Sequence, residues 1–440
     1  MGKRILVLAG AAYGERMSSP GIRAHHMARV LVERVPDAKV TLAVPAESTQ
    51  GNTTGAPCRI VHYTKLTVMR EIANHDIIIA TGFPGYALFF FPWKTFVLDF
   101  FTMYLLEWME SSKDDPFHNP ARRRAWLSQA RKLLNIQLTF ADFVLAASDR
   151  QRDAHLGSMI SLGLVSPESH TKDPSLHKLI GVAPHGIRPD PSTRTKQVVK
   201  GRYAGIKETD KLILWNGGIV SWYDPATLIR AVGELSRERD DIKLLFVGSS
   251  YPGLGSLGLG NRFREALELS RELGLYNRNV FFDIGWIPYD EMKHYTLEAD
   301  LSVCTYFQGL ETNFSLRTRF LDIFWAEVPL VCTQGDVLAE LVEEHRLGLT
   351  VNEGDVAGVA DAIRRLVDDH EYYEECKRNL HAIKSCMTWE AALDPLIKFC
   401  NDSESIAKPK KDRIVPLISR IAGHEVTRRV RTLRALLLRV

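Results

Sequence analysis

The chain has 440 residues, 45% of them hydrophobic and 25% charged, with a formal net charge of +3. That length is more than one hydrophobic core usually holds, so two domains are expected, and the near-neutral charge excludes nucleic-acid binding through the whole surface. The six cysteines (58, 304, 332, 376, 386 and 400) form no C-x-x-C pair, which argues against a zinc site and a secreted disulfide framework and suits a reducing cytoplasm.

The N-terminal "MGKRILVLAGAAYG" has a basic start and a short apolar run. A secretory signal would carry a longer apolar core and a small-residue cleavage site, so this run reads as a buried strand followed by a loop, and the sequons at Asn52 and Asn313 carry no weight. In "LAGAAYGERMSSPGIRAHHMARVL" a small-residue loop leads into a helix over 21–34, with Ser18, Ser19, Gly21 and Arg23 placed to face a cleft. The lack of G-x-G-x-x-G spacing argues against a nicotinamide-dinucleotide fingerprint. The stretch "IIIATGFPGYALFFFPWKTFVLDFFTMYLLEW" is apolar enough to be weighed as a membrane span, but Pro84, Gly85, Pro92, Lys94 and Asp99 interrupt it. Lipid-facing lysine and aspartate are costly, so two buried strands are expected near 77–80 and 95–99, joined by a short apolar element. The aromatic patches Tyr86–Trp93 and Met103–Trp108 suit either a lipid-linked acceptor or the core.

Short apolar runs recur along the chain: "RILVLA", "KVTLAV", "IIIATG", "TFVLDF" and "FVLAAS" first, then "LILWNG", "KLLFVG", "VFFDIG", "LSVCTY" and "PLVCTQ". Such runs read as strands buried on both faces. Their alternation with helical patterns at 21–34, 225–237, 262–273 and 356–368 indicates parallel α/β sheets. The series occurs twice, separated by a Pro-rich, charged segment at roughly 186–208. The expected fold is therefore α/β, with two doubly wound Rossmann-like domains (1–190 and 205–390) facing a cleft where the strands end, and a helix plus basic tail over 391–440.

In the second domain, "LILWNGGIVSWYDPATLIRA" is a strand, a Gly-rich turn and a helix with Pro225 in its first turn. Gly217 and Gly218 permit close backbone approach to a ligand. "VFFDIGWIPYDEM" ends a strand with Gly285, Trp286 and Ile287, a turn able to bracket a base. In "GLETNFSLRTRFLDIFWAEVPLVCTQGD" a helix is expected to start near Phe314 and run into a buried strand at 329–333. Its N-terminus would suit a phosphate, Arg317 and Arg319 would hold a diphosphate bidentately, and Asp322 would accept from ribose hydroxyls. Beyond 408 the chain is basic, with Val426, Val430, Leu433, Leu437 and Val440 on one helical face. That pattern suits an anionic membrane surface or a protein partner.

Taken together, "SSPGIRAHHMARVL", "ADFVLAASDRQRDAHLG", "IGVAPHGI", "LWNGGIVSWYDPATLIRA", "DIGWIPYDEM" and "SLRTRFLDIFWAEVPLVCTQGD" resemble the retaining GT-B glycosyltransferases of the family 4 type, across nearly all of residues 3–400. The resemblance is greatest to bacterial enzymes that build surface polysaccharides or glycolipids. It implies a nucleotide-sugar donor (UDP- or GDP-linked) bound mainly by the C-terminal domain, a glycan or lipid-linked acceptor, and chemistry without a metal or other cofactor, in keeping with the absence of a D-x-D motif. The family helix before the "PLV" strand carries an E-x7-E pair. Asp322 stands at the second acid, Ser315 is assigned to the first, followed by Leu316, and Glu311 is the upstream substitute that would touch the sugar. The family's Arg and Lys after the first C-terminal strand are missing, so Arg317 and Arg319 are expected to replace them. Asp99, closing "TFVLDF", is the acid–base candidate, with a helix cap as its alternative role; His25, His26, His118 and His185 are further candidates. The implied setting is the cytoplasm, peripheral at the inner face of the plasma membrane. A nucleotide-sugar epimerase and a non-catalytic nucleotide-sugar scaffold remain as alternatives.

Overall fold

In the computed structural model the described residues are 2–46, 48, 58–113, 119–248 and 260–402. His118 and the basic tail from 403 onwards lie outside them, so neither the His118 expectation nor the amphipathic-tail expectation meets a structural observation.

The apolar runs fold into two separate parallel sheets. The first contains β1 (Arg4–Leu8), β2 (Lys39–Pro45), β3 (Arg59–Tyr63), β4 (Ile77–Ala80), β5 (Thr95–Asp99), β6 (Phe143–Ala146) and β7 (Ile180–Val182), in the order β3-β2-β1-β4-β5-β6-β7. The second contains β8 (Lys211–Asn216), β9 (Ile242–Val247), β10 (Val280–Asp283), β11 (Leu301–Cys304), β12 (Leu330–Thr333) and β13 (Gly348–Val351), in the order β10-β9-β8-β11-β12-β13. β4, β6, β9, β11 and β12 are buried at every position, as strands covered by helices on both faces must be. In each sheet the strand order reverses once, between β1 and β4 and between β8 and β11. Chains leave such a switch point in opposite directions and open a crevice at the strand C-termini. The two crevices face one another.

The apolar stretch weighed as a membrane span is β4, a short helix Gly85–Phe90, β5 and the helix Tyr104–Ser111. Among the described residues no helix is long and apolar enough to cross a membrane. β3, β7 and β13 escaped sequence reading: β7 is only Ile180–Val182, and β3 is half exposed with a broken apolar pattern. The Pro-rich segment near 186–208 has no regular structure, yet much of it belongs to the second domain. The backbone amides of Val198, Val199 and Lys200 donate to the buried carboxylate of Glu298, and Val199 and Ile206 enter the core around β8.

After the second sheet the chain crosses back. Trp389, Leu393, Leu396 and Cys400 pack into the core of the first domain, and the Phe399 ring stacks on Phe143 at 4.6 Å. The two domains are further fixed by Arg150, which donates to the carbonyls of Asn313 and Gly335, by Gln151, which donates to the Phe314 carbonyl at 2.8 Å, and by His26, whose Nε2 shares a hydrogen bond with the Tyr289 hydroxyl at 3.5 Å.

Candidate active site

β8 runs straight to the switch point and ends in Asn216, Gly217 and Gly218. Gly217 has φ of +101°, a left-handed conformation open to glycine and strained for residues with a Cβ. A Cβ added there would lie in ordinary contact with the Arg319 guanidinium, 3.6 Å away, so the constraint is in the backbone. Gly218 borders open space. Gly217→Ala is expected to destabilise the fold by about 1–2 kcal/mol through backbone strain; an unchanged urea midpoint would refute this.

The charged stretch after β11 differs from its expected geometry. No single helix starts at Phe314. A short helix Leu310–Phe314 ends, Ser315–Thr318 is irregular, and a second helix covers Arg319–Trp325. The break is held from several sides: Asn216 Nδ2 donates to the Arg319 carbonyl at 2.9 Å, and Gln151 holds the Phe314 carbonyl. The two arginines consequently have different surroundings. Arg317 turns inward and is buried, donating through Nη1 and Nη2 to the two oxygens of Glu311 at 3.0 and 2.8 Å, with Asp336 3.7 Å from its Nε. It is a core ion pair at the edge of the cleft, and the bidentate diphosphate clamp expected of it is corrected. Glu311 is likewise committed, since it also accepts from the Ser315 hydroxyl; it does not stand as a free carboxylate for a sugar. Counted with seven intervening residues, the place of the family's first acid is Phe314 and not Ser315.

Arg319 lies at the cleft floor. Its Nη2 donates to the Gly218 carbonyl at 2.7 Å, its guanidinium carbon lies 4.0 Å from the Tyr223 ring centre, and its Nη1 is buried with no partner among the described residues. A buried guanidinium N–H is costly unless it is satisfied, and the Arg319 side chain lines the pocket beside the open backbone of Gly218. One turn on, the half-buried Asp322 lines the same pocket. Burial pushes its carboxyl up to about 6, with Arg188 pulling the other way.

These groups line a pocket of about 270 Å³ bounded by Gly217, Gly218, Trp286, Ile287, Arg319 and Asp322 from the second domain and by Ser18, Ser19 and His185 from the first. Trp286 bridges the domains, its indole N–H donating to the Glu15 carbonyl at 2.8 Å, while Gly285 is exposed beside it. Ser19 faces the cleft as expected and shares a hydrogen bond with His185 Nε2 at 3.1 Å. Gly21 and Arg23 do not face it. Gly21 packs under the Ala12 carbonyl, and Arg23 is fully buried, giving Asp99 hydrogen bonds of 2.7–3.0 Å from Nε and Nη2. Both Asp99 oxygens are thus engaged, so the residue braces the end of β5 and is not left free as an acid or base.

A larger chamber of about 1260 Å³ adjoins the pocket on the first-domain side. Both Glu311 and Leu316 reach its wall, and so does Glu107 of the helix Tyr104–Ser111. Burial, then repulsion from Glu311 across the cleft, pushes the Glu107 carboxyl up to about 7, with Arg317 opposing. Sequence reading missed Glu107 because it sits in a largely apolar run, "YLLEWMES", that matches no site motif. It missed Arg188 because that residue falls in a segment resembling a linker. Arg188 is buried, donates to the Tyr289 carbonyl at 2.9 Å and lies over the Tyr289 ring at 3.8 Å, in the wall of the smaller pocket.

Residues 202–382 match the family described as Glycosyl transferases group 1. No curated protein matches the chain in sequence. Among solved structures, it resembles Anabaena HepE in complex with UDP-glucose (TM-score 0.63, 15% identity, covering 90% of this chain and 98% of that one). It also resembles sucrose-phosphate synthase from Thermosynechococcus elongatus (TM-score 0.58, 15% identity, 90% and 98% coverage) and a glycosyltransferase from Rickettsia africae (TM-score 0.61, 11% identity, 91% and 98% coverage). The chain therefore has a two-domain GT-B fold whose second domain, over residues 202–382, is similar to the glycosyl transferases group 1 family.

Proposed function

We propose that this protein is a glycosyltransferase of the retaining family 4 type, moving a sugar from a UDP- or GDP-linked donor to a glycan or lipid-linked acceptor in the building of bacterial surface polysaccharide or glycolipid. The observation that carries the reading is the unsatisfied Arg319 Nη1, set beside the Gly217–Gly218 turn and one helical turn from Asp322. A nucleoside diphosphate supplies what each group lacks: phosphate oxygens for the guanidinium and the open backbone, and ribose hydroxyls for the carboxylate. Trp286 and Ile287 then flank the base. In the transfer, the bond from the sugar's anomeric carbon to the diphosphate oxygen breaks, a bond to the acceptor oxygen forms, and the acceptor's proton passes to the departing diphosphate. Positive charge fixed at the leaving oxygen lowers that barrier. The group 1 domain over 202–382 and the likeness to HepE bound to UDP-glucose support the same assignment.

The test is calorimetric titration with UDP, GDP and their sugar conjugates, comparing the protein with Asp322→Ala. Binding of one nucleotide class, weakened about tenfold or more in the variant, is expected, because two hydroxyl-to-carboxylate hydrogen bonds are lost. No binding of any nucleotide would overturn the reading and leave a scaffold without donor chemistry.

The same carboxyl sets a pH dependence. Its value is raised to about 6, so the free protein holds Asp322 protonated below that pH, whereas a ribose-accepting carboxylate is the ionised form. Donor affinity is expected to be flat above pH 7 and to fall about tenfold per pH unit below 6. A nucleotide sugar is the proper probe, since its diphosphate diester does not titrate in this range. Asp322→Asn should bind more weakly and with no pH limb; a limb that persists in this variant would assign the titration elsewhere.

A further inference from the structure

We propose that the large chamber beside the donor pocket binds a long-chain amphiphile, with the hydrocarbon lying between the helices Tyr104–Ser111 and Pro120–Phe140 and a hydroxyl-bearing headgroup at Glu107. This rests on the transferase reading and names the class of its acceptor.

The chamber, at about 1260 Å³, is far larger than a single acceptor hydroxyl needs. Its walls include the aliphatic side chains Val68, Leu98, Leu105, Leu133 and Leu134 beside the rings of Phe83, Phe100, Phe101 and Trp126, so most of the wall is apolar surface suited to hydrocarbon. Several of the polar side chains that also line it are consumed by the protein, while Thr81, Thr102 and Gln129 stand in the wall beside them. Gln137 exchanges hydrogen bonds with the Phe83 backbone, Gln151 serves Ala147 and Phe314, Asp99 is held by Arg23, and Glu311 by Arg317. Glu107 differs, because its carboxylate makes no hydrogen bond among the described residues although it stands in a wall where burial raises its pKa to about 7. An apolar chamber with one unspent carboxylate, on the side facing the donor, fits a molecule that is hydrocarbon along most of its length and hydroxylated at one end.

The rim extends the argument. Tyr104 and Leu133, both in the chamber wall, are 50% and 48% exposed. Beside Pro84 and Val68 of the same wall, Tyr86, Phe90 and Leu66 are 43%, 66% and 86% exposed, with the Tyr86 hydroxyl donating to the Lys65 carbonyl. Exposed aromatic and aliphatic groups gathered at the mouth of an apolar cavity mark a route for an apolar ligand. The helix Pro120–Phe140 carries exposed Arg124, Arg131 and Lys132. Arg124 and Arg131 also line a second apolar cleft that shares Tyr104, Leu105 and Leu134 with the chamber. Basic side chains around an apolar mouth complement an anionic headgroup layer, from which such an amphiphile would be drawn.

The probes are n-dodecyl-β-maltoside below its micelle concentration and maltose, which share a headgroup and differ in the chain. Both are titrated into the wild-type protein and into Leu133→Glu, a substitution at a half-exposed position whose unfolding midpoint is measured alongside. The expected result is wild-type affinity for the maltoside at least about tenfold above that for maltose, and loss of that preference in Leu133→Glu with its midpoint retained. Equal affinities in the wild type, or a preference that survives Leu133→Glu, would overturn the proposal. UDP and GDP titrated into the same wild-type sample separate the two readings. Nucleotide binding without chain preference sinks the chamber alone, and chain preference without nucleotide binding sinks the transferase reading while the chamber remains an amphiphile site.

Discussion

Replacing Arg23 by methionine is expected to cost about 3–5 kcal/mol of stability, the range for removing one partner of a buried ion pair. Arg23 and Asp99 have side-chain exposures of 1% and 6%, and the guanidinium is saturated by Asp99 together with the carbonyls of Ala183 and Pro184, at 2.9 Å each. It therefore ties the helix Ser19–Arg34 to the ends of both β5 and β7. Methionine leaves an ionised carboxylate in the core and two carbonyls without donors. Substituting both partners, Arg23→Met with Asp99→Leu, removes the orphaned charge and is expected to recover most of the loss. Urea unfolding followed by tryptophan fluorescence reads the difference. A loss below about 1 kcal/mol for Arg23→Met, or no recovery in the double variant, would show that the pair contributes little to the bracing of β5.

The same pair shows where the sequence was silent. Asp99 and Arg23 are 76 positions apart, and nothing local in "TFVLDF" or "GIRAHH" announces that one side chain will consume the other. Each stands at the end of an element that points to the cleft, and local sequence alone places both there. The strand series itself was legible, since burial on both faces demands continuous apolar runs, and β1, β2, β4–β6 and β8–β12 each carry one. Gly217 and Asp322 were also readable: one occupies a strand-to-helix turn, the other a fixed distance before a buried strand. Arg317 departs from its expected role for a physical reason. On one continuous helix the two arginines, two positions apart, would point about 200° from one another, but the chain breaks at Ser315–Thr318 and turns Arg317 into the core, where Glu311 neutralises it. Glu107 and Arg188 could be found only from the fold. Their chemistry comes from burial against elements distant in the chain, Glu311 for the one and Tyr289 for the other.

With Arg317 committed to the core, Arg319 is left as the cation beside the β8 turn, and Arg319→Ala is expected to weaken binding of a nucleotide sugar about a hundredfold. Hydrogen bonds to charged groups contribute roughly 1.5–3 kcal/mol each, and this guanidinium offers Nη1 while Nη2 steadies the Gly218 carbonyl at 2.7 Å. The backbone anchor survives truncation, because the bond from Asn216 goes to the Arg319 carbonyl. Two controls separate charge recognition from collapse of the turn. Arg319→Lys retains a cation but cannot brace Gly218 and face a phosphate at once, so it should recover only part of the affinity. The bare nucleoside, which lacks the diphosphate, should bind wild type and Arg319→Ala equally, since Asp322, Trp286 and Ile287 remain. If nucleoside affinity falls as far as that of the nucleotide sugar, Arg319 works by shaping the turn and the diphosphate must find its positive charge elsewhere, with Arg188 as the nearest buried candidate in that pocket.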